Sequence, residues 1–98
     1  MRADISLPDF SVVVPTYNEC DRLGELVERI FSVSRVHHLS PEVVIVDDDS
    51  PDGTGERAEA LRERFRVRVI HRASKLGLAT AVLAGIAAAT GHLVVVMD

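Results

Sequence analysis

Residues 43–54 read VVIVDDDSPDGT, and this stretch decides the fold. Four consecutive apolar residues with β preference are typical of a strand buried on both faces of a parallel sheet. The residues that follow favour a turn, because proline fixes φ and glycine accepts positive φ. Asp47, Asp48 and Asp49 are therefore expected at the carboxyl end of a central strand. Open α/β sheets bind their ligands at that edge.

Two other segments also pass from an apolar strand into polar residues. Residues 12–19 read VVVPTYNE, where the proline cannot donate to a sheet ladder, and residues 93–98 read LVVVMD. One acidic strand end alone is better explained by a solvated turn. Three strand ends that converge on one edge indicate a site.

The hydrophobic pattern alternates between strand and helix along the whole chain. It predicts strands at 10–15, 42–47, 66–72 and 92–98, and helices at 21–36, 54–65 and 76–90. Such alternation implies parallel strands joined by right-handed crossovers. We therefore predict an α/β fold with a Rossmann-like parallel sheet over residues 10–98, after an amino-terminal tail at 1–9.

Composition limits the classes of function. The 98 residues suit one small soluble domain, and a net charge of −4 argues against a nucleic-acid partner. Cys20 has no second cysteine to pair with, which fits a reducing, cytoplasmic compartment. Residues 76–97 carry no Asp, Glu, Lys or Arg and are long enough to cross a bilayer. Gly91 and its neighbours divide that run, so a buried helix ended by Gly91 at its C′ position, then a buried strand, is the better interpretation.

The last predicted strand is apolar throughout and is expected to lie inside the sheet. A chain that stops on such a strand is expected to be the amino-terminal part of a longer protein. We expect these residues alone to be catalytically inactive, and to self-associate through the apolar sheet edge.

The motifs together resemble a known family. Residues 12–19 and 46–54 look like the opening motifs of family 2 glycosyltransferases of the GT-A fold, and within them the dolichyl (polyprenyl) phosphate mannose synthase group. KLGLATA at 75–81, ATG at 89–91 and VMD at 96–98 continue the resemblance to the end of the chain. One departure is His92, where many relatives carry aspartate.

The resemblance implies the nucleotide-binding half of a GT-A domain. A nucleotide sugar would bind across the first two strand ends, and the substrate-binding residues would be Pro15, Tyr17, Glu19, Val46, Asp48 and Lys75. Asp98 matches the first aspartate of the family's Asp-x-Asp motif, which holds Mg²⁺ or Mn²⁺ on the diphosphate. Further catalytic residues would lie beyond this chain.

The implied reaction is transfer of a sugar with inversion, from GDP-mannose to a polyprenyl (dolichyl) phosphate. It would take place at the cytoplasmic face of a membrane, with any membrane attachment made by downstream segments.

Other interpretations remain open from the residues alone. The donor could be a UDP-sugar, or the chain could be a non-catalytic nucleotide-binding module. A receiver-like phosphoacceptor domain also has strands that end in acidic residues. Individually, Tyr17 could cap the sheet edge, Glu19 could stabilise the dipole of the following helix, and Lys75 could be a solvated loop lysine.

Overall fold

The computed structural model describes residues 6–74 and 76–97. Strands and helices alternate as predicted: β1 (Phe10–Thr16), α1 (Cys20–Val36), β2 (Pro41–Asp47), α2 (Thr54–Leu61), β3 (Val67–His71), α3 (Leu78–Ala88) and β4 (Leu93–Val96). The predicted α/β class is confirmed.

The four strands form one parallel sheet in the order β3-β2-β1-β4. Thr16, at the end of β1, pairs with Asp47 at the end of β2. On the other side of β1, Val13 pairs with Val96 near the end of β4. The carboxyl ends of β1 and β2 are therefore neighbours, as predicted, whereas β4 ends opposite Val13 and the predicted polar residue of its end, Asp98, lies outside the described residues.

Helices cover both faces of the sheet, so alternate residues of β1 and β2 enter different cores. Val12, Val14, Val43 and Ile45 pack with α1 and α2. Val13, Val44 and Val46 pack instead with Ala81 of α3. Burial on both faces explains why these two strands have no polar residue in their central part.

Two helices are shorter than the sequence pattern predicts. α2 ends at Leu61 rather than at residue 65, because the next amides bond three residues back, as in Arg62 N–H to the Glu59 oxygen at 3.2 Å. α3 covers Leu78–Ala88 rather than 76–90. Its start follows Gly77, whose φ of 105° lies outside the helical region.

The interior position predicted for the last strand applies to a longer protein and stays a prediction. Over residues 6–74 and 76–97, β4 pairs with β1 alone and forms an edge of the sheet. Its side chains are 41–69% exposed. An all-apolar sequence predicts burial of both faces, but it cannot specify the partner that covers them.

Gly91 does not end α3 as predicted, because the last residue of the helix is Ala88 and its C-cap residue is Ala89. It is not among the glycines with positive φ, so it is not a left-handed C′ residue. A Cβ at this position would lie 2.6 Å from the carbonyl carbon of Phe10 and 2.7 Å from the nitrogen of Ser11. Glycine is therefore required here because the chain passes directly against the backbone of β1.

A buried carboxylate fixes this amino-terminal side of the sheet. Glu42 is 1% exposed and its Oε2 accepts hydrogen bonds from Ser11 Oγ at 2.6 Å and from Thr90 N and Oγ1 at 2.6 and 2.9 Å. Arg68 Nε lies 3.3 Å from Oε1. Burial raises the pKa of Glu42, but these hydrogen bonds and the arginine charge outweigh it and lower the pKa below its ordinary value. The ionised side chain joins β1, β2, β3 and the end of α3.

In the part of the chain that the structure describes, no helix has both the length and the hydropathy of a bilayer span.

Candidate functional site

The loops that follow β1 and β2 lie against each other at the carboxyl edge. Asn18 N–H donates to Ser50 Oγ at 3.0 Å, and Glu19 N–H donates to Thr54 Oγ1 at 3.0 Å. Asn18 has a φ of 57°, which turns the chain sharply before α1 begins. These contacts hold the start of α1 beside the start of α2.

Asp52 strengthens the same junction by capping two helices. Its Oδ1 accepts hydrogen bonds from the amide and hydroxyl of Thr54, and its Oδ2 accepts one from Cys20 N–H at 3.2 Å. The hydrogen bond from the Thr54 hydroxyl is the main cause that lowers the pKa of Asp52, which keeps the carboxyl group ionised. Asp52, the second aspartate of the turn at residues 49–52, therefore has a structural role.

The side chain of Asp47 stabilises the loop that follows β2. It is 3% exposed, and its Oδ1 accepts hydrogen bonds from Thr16 Oγ1 at 2.9 Å and Ser50 Oγ at 2.6 Å. Its Oδ2 accepts Ser50 N–H at 3.1 Å. Both oxygens thus stabilise the turn after β2.

Asp48 is held differently from its neighbours. Its amide donates to the carbonyl oxygen of Thr16 at 3.2 Å, which continues the β1–β2 pairing by one residue. Its carboxylate receives two parallel hydrogen bonds from Arg72, Nε to Oδ1 at 2.6 Å and Nη2 to Oδ2 at 2.9 Å. Asp49 follows with a φ of 53° and turns the chain outward. The structure therefore separates three consecutive aspartates into a turn residue, a fixed carboxylate at the sheet edge and an exposed loop residue.

Arg72 is a site residue that the sequence pattern did not indicate, because the pattern places it in the third strand, whereas β3 ends at His71. The backbone amide of Arg72 donates to the backbone carbonyl oxygen of Asp47 at 2.8 Å, so Arg72 lies directly beside the end of β2. The hydrogen bonds to Asp48 are the main cause that raises the pKa of Arg72. In the sequence, the only indication of this role was an arginine at a predicted strand end. The strand order β3-β2-β1-β4 is needed to show that Arg72 contacts Asp48.

Three other predicted substrate-binding residues lie at the end of β1 or directly after it. Tyr17 follows β1 directly and is 39% exposed. Pro15 and Glu19 line a cleft of about 270 Å³ together with Arg22 and Met97. Glu19 is the N-cap residue of α1, but its side chain makes no capping hydrogen bond.

Val46 is the predicted residue that the structure places least accessibly. Its side chain is fully buried in the core beneath α3. Its backbone carbonyl oxygen lies 3.5 Å from Thr16 Oγ1. A ligand contact at this position would therefore have to use the backbone.

Two predicted residues, Lys75 and Asp98, lie outside the described residues. Met97 precedes Asp98, and its amide donates to the carbonyl oxygen of Val13 at 2.9 Å. Among residues 6–74 and 76–97, no group of three or more His, Cys, Asp or Glu side chains could hold a metal ion.

A second polar pair borders the edge beyond β2. His71 Nε2 lies 2.6 Å from Glu59 Oε2. The hydrogen bond with His71 is the main cause that lowers the pKa of Glu59, with Arg62 adding to it. Both side chains are about half exposed, so the pair is a solvated contact between α2 and β3.

The fold and this polar edge define a doubly wound α/β domain of the kind that binds ligands beyond the carboxyl ends of its strands. Comparison with known proteins specifies the family. The model of glycosyl transferase family 2 matches residues 11–98. The chain belongs to this family.

Two curated relatives have related names. The chain is 47% identical over 88 residues to a dolichol-phosphate mannosyltransferase of Pyrococcus furiosus, an alignment covering 90% of this chain and 24% of the relative. It is 50% identical over 78 residues to a polyprenol monophosphomannose synthase of Mycolicibacterium smegmatis, covering 76% of this chain and 27% of the relative. The chain thus spans about a quarter of the length of these relatives.

A solved structure shares the fold. The mannosyltransferase PcManGT of Pyrobaculum calidifontis, in complex with GDP-Man and Mn²⁺, superposes with a TM-score of 0.74 at 29% identity. The match covers 92% of this chain and 27% of that one.

Proposed function

We propose that the full-length protein transfers mannose from GDP-mannose to a polyprenyl phosphate, and that this chain forms the nucleotide-binding part of the enzyme. The names of the two curated relatives support the reaction. PcManGT, a mannosyltransferase bound to GDP-Man and Mn²⁺, supports the donor and a divalent metal.

The observation that carries the proposal is the position of Asp48. Thr16 and Asp47 form the last β1–β2 pair. Asp48 directly follows Asp47, and Tyr17 directly follows Thr16, so the two residues leave the sheet side by side. Guanine presents two adjacent N–H donors on one edge, and a carboxylate can accept both. Tyr17 supplies a flat ring for the base or ribose.

The remaining binding residues have less direct roles in this proposal. Pro15 and Glu19 bound the cleft at the end of β1, and Val46 contributes its backbone. Lys75 would place a positive charge near the diphosphate.

Asp98 would be the first carboxylate ligand of Mg²⁺ or Mn²⁺. Bound metal would neutralise charge on the diphosphate.

In the reaction, an oxygen of the acceptor phosphate forms a bond to the anomeric carbon from the face opposite the diphosphate. The bond from that carbon to the diphosphate oxygen breaks, GDP leaves, and the configuration inverts. Because the acceptor phosphate is already anionic, it carries its own negative charge to the reacting carbon. We expect the domain to work at the cytoplasmic face of the membrane that holds the lipid.

A donor panel tests the function. The full-length protein is incubated with Mn²⁺, a polyprenyl phosphate and either GDP-mannose, UDP-glucose or UDP-N-acetylglucosamine, and the glycosylated lipid is quantified. We expect product from GDP-mannose at least about tenfold faster than from either UDP-sugar, the factor expected for one lost hydrogen bond to a charged group. Faster transfer from a UDP-sugar would contradict the donor assignment. Nucleotide binding without any transfer would instead favour a non-catalytic module.

A further inference from the structure

Arg72 connects two parts of the molecule that are distant in sequence. Besides its two bonds to Asp48, it donates from Nη1 to Thr80 Oγ1 at 2.8 Å and from Nη2 to the Gly77 carbonyl oxygen at 3.2 Å. Thr80 lies in the first turn of α3, and Gly77 precedes that helix. The guanidinium therefore joins the end of β2 to the start of α3.

Among the described residues, this is the salt bridge in which both side chains are largely buried, since in Arg68–Glu42 the carboxylate is 1% exposed but the arginine is 51% exposed. The side chains of Arg72 and Asp48 are only 11% and 8% exposed. The partners Arg62–Glu59 and Arg64–Glu28 are 41–62% exposed. Bidentate pairing in a partly dehydrated place fixes the plane of the carboxylate as well as its position.

The local turn does not hold Asp48 as it holds its neighbour. Asp47 is fixed by Thr16 and Ser50, at the end of the paired strand and in the adjacent turn. The carboxylate of Asp48 is fixed by an arginine 24 residues later in the chain. The arginine thus orients the one carboxylate of the triplet that is proposed to meet the nucleotide.

We propose that Arg72 is a positioning residue for nucleotide recognition. It sets the orientation of the Asp48 carboxylate before the nucleotide arrives, and it offsets one negative charge at an edge that must accept a diphosphate. The inference rests on the proposed function, and it assigns Arg72 no contact with the nucleotide. A carboxylate ordered in advance accepts two base N–H groups without losing rotamer freedom on binding, so both affinity and discrimination depend on the arginine.

The test uses the full-length protein and calorimetric titration with GDP and with inosine diphosphate, which lacks the 2-amino group of guanine. Arg72→Lys keeps the charge but loses the planar fork, and Arg72→Gln loses both charge and fork. Arg64→Lys is the matched control, because Arg64 forms an exposed pair with Glu28 far from this edge. Melting temperatures and steady-state kinetics accompany each titration.

We expect Arg72→Lys to weaken GDP binding about tenfold and Arg72→Gln more strongly, with KM raised and kcat within about twofold. The preference for GDP over inosine diphosphate should fall from about tenfold toward unity, a change that loss of stability alone would not produce. Arg64→Lys should leave both affinities unchanged. Folded Arg72 variants with the wild-type GDP affinity and preference would overturn the inference.

Two outcomes need separate treatment. If the Arg72 variants do not melt cooperatively, the variant Thr80→Val is used in their place, because it removes only one hydrogen-bond acceptor of Arg72. We expect this variant to lose about threefold in GDP affinity. An unchanged GDP affinity would contradict the inference. Wild-type protein that binds UDP rather than GDP would contradict the donor assignment, and an Arg72→Lys variant that then binds UDP as tightly as the wild type would overturn the inference as well. Wild-type protein that binds neither nucleotide would refute the proposed function itself.

Discussion

Replacing Glu42 with glutamine should lower the free energy of unfolding of the full-length protein by about 2–3 kcal/mol at neutral pH. The reason is that a hydrogen bond to a charged group stabilises a protein by about 1 kcal/mol more than a neutral hydrogen bond does. Oε2 of Glu42 accepts three hydrogen bonds, from Ser11 Oγ and from the amide and hydroxyl of Thr90. Glutamine keeps the size of the side chain and removes its charge. It also turns an amide donor toward Arg68 or toward these donors. Arg68 adds less to the estimate because its side chain is 51% exposed.

The same substitution has a defined pH dependence. The folded-state pKa of Glu42 is lowered from 4.5, so its stabilising effect is fully present above pH 4.5 and is lost as the pH falls through the folded value. The stability difference between wild type and Glu42→Gln should therefore shrink on acidification. Urea unfolding at about pH 7 and about pH 3.5 measures this change.

Glu28→Gln is the control for this experiment. Glu28 pairs with Arg64 on the surface and is 52% exposed, so its replacement should change the unfolding free energy by less than about 0.5 kcal/mol. A Glu42→Gln effect equally small at neutral pH, or one that does not decrease in acid, would refute the assignment of Glu42 as an ionised structural residue.

Three further predictions concern packing, association and activity. Gly91→Ala should destabilise the full-length protein by about 1–3 kcal/mol in urea unfolding, because its Cβ would meet the backbone of Phe10 and Ser11; wild-type stability would contradict the close approach. The 98 residues by themselves should self-associate in sedimentation at about 100 μM, since β4 exposes Val94, Val95 and Val96 at an edge; a well-folded monomer would count against edge pairing. The same isolated chain should transfer no mannose to a polyprenyl phosphate, because it spans only about a quarter of the length of its curated relatives; any measured transfer would disprove this.

The architecture was predictable because its strands are short, apolar and bounded by strong turn signals. Residues 43–46 lie between helices in the pattern, and the structure buries all four of them completely. The alternation of elements was enough to predict a parallel sheet and the convergence of polar strand ends. The ends of α2 and α3 were less predictable, because they depend on three-residue hydrogen bonds and on Gly77 rather than on hydrophobic periodicity.

The internal organisation of the site was not predictable in the same way. Asp47, Asp48 and Asp49 are the same residue type, and the structure distinguishes them by the turn contacts of Asp47 with Ser50, by the positive φ of Asp49 and by the tertiary contact of Asp48 with Arg72. Arg72 meets Asp48 because β3 lies beside β2, and no local pattern contains that information. The apolar composition of β4 likewise predicts burial without specifying the partner that would cover its exposed side chains.

The same distinction among the aspartates allows the most direct test of nucleotide binding at this edge. Asp48→Asn and Asp49→Asn are made in the full-length protein, and GDP binding is titrated calorimetrically without metal. Asparagine removes one carboxylate oxygen in each case, and it tolerates the positive φ of Asp49. Asp98→Ala serves as a third variant that separates metal binding from base recognition.

Asp48→Asn should weaken GDP binding by about one to two decades, corresponding to roughly 1–3 kcal/mol for a lost charged hydrogen bond. Asp49→Asn should bind GDP as the wild type does, and Asp98→Ala should keep metal-free GDP affinity within a few-fold while abolishing metal-dependent turnover. Equal GDP affinity of wild type, Asp48→Asn and Asp49→Asn in folded protein would contradict the claim that Asp48 recognises the nucleotide.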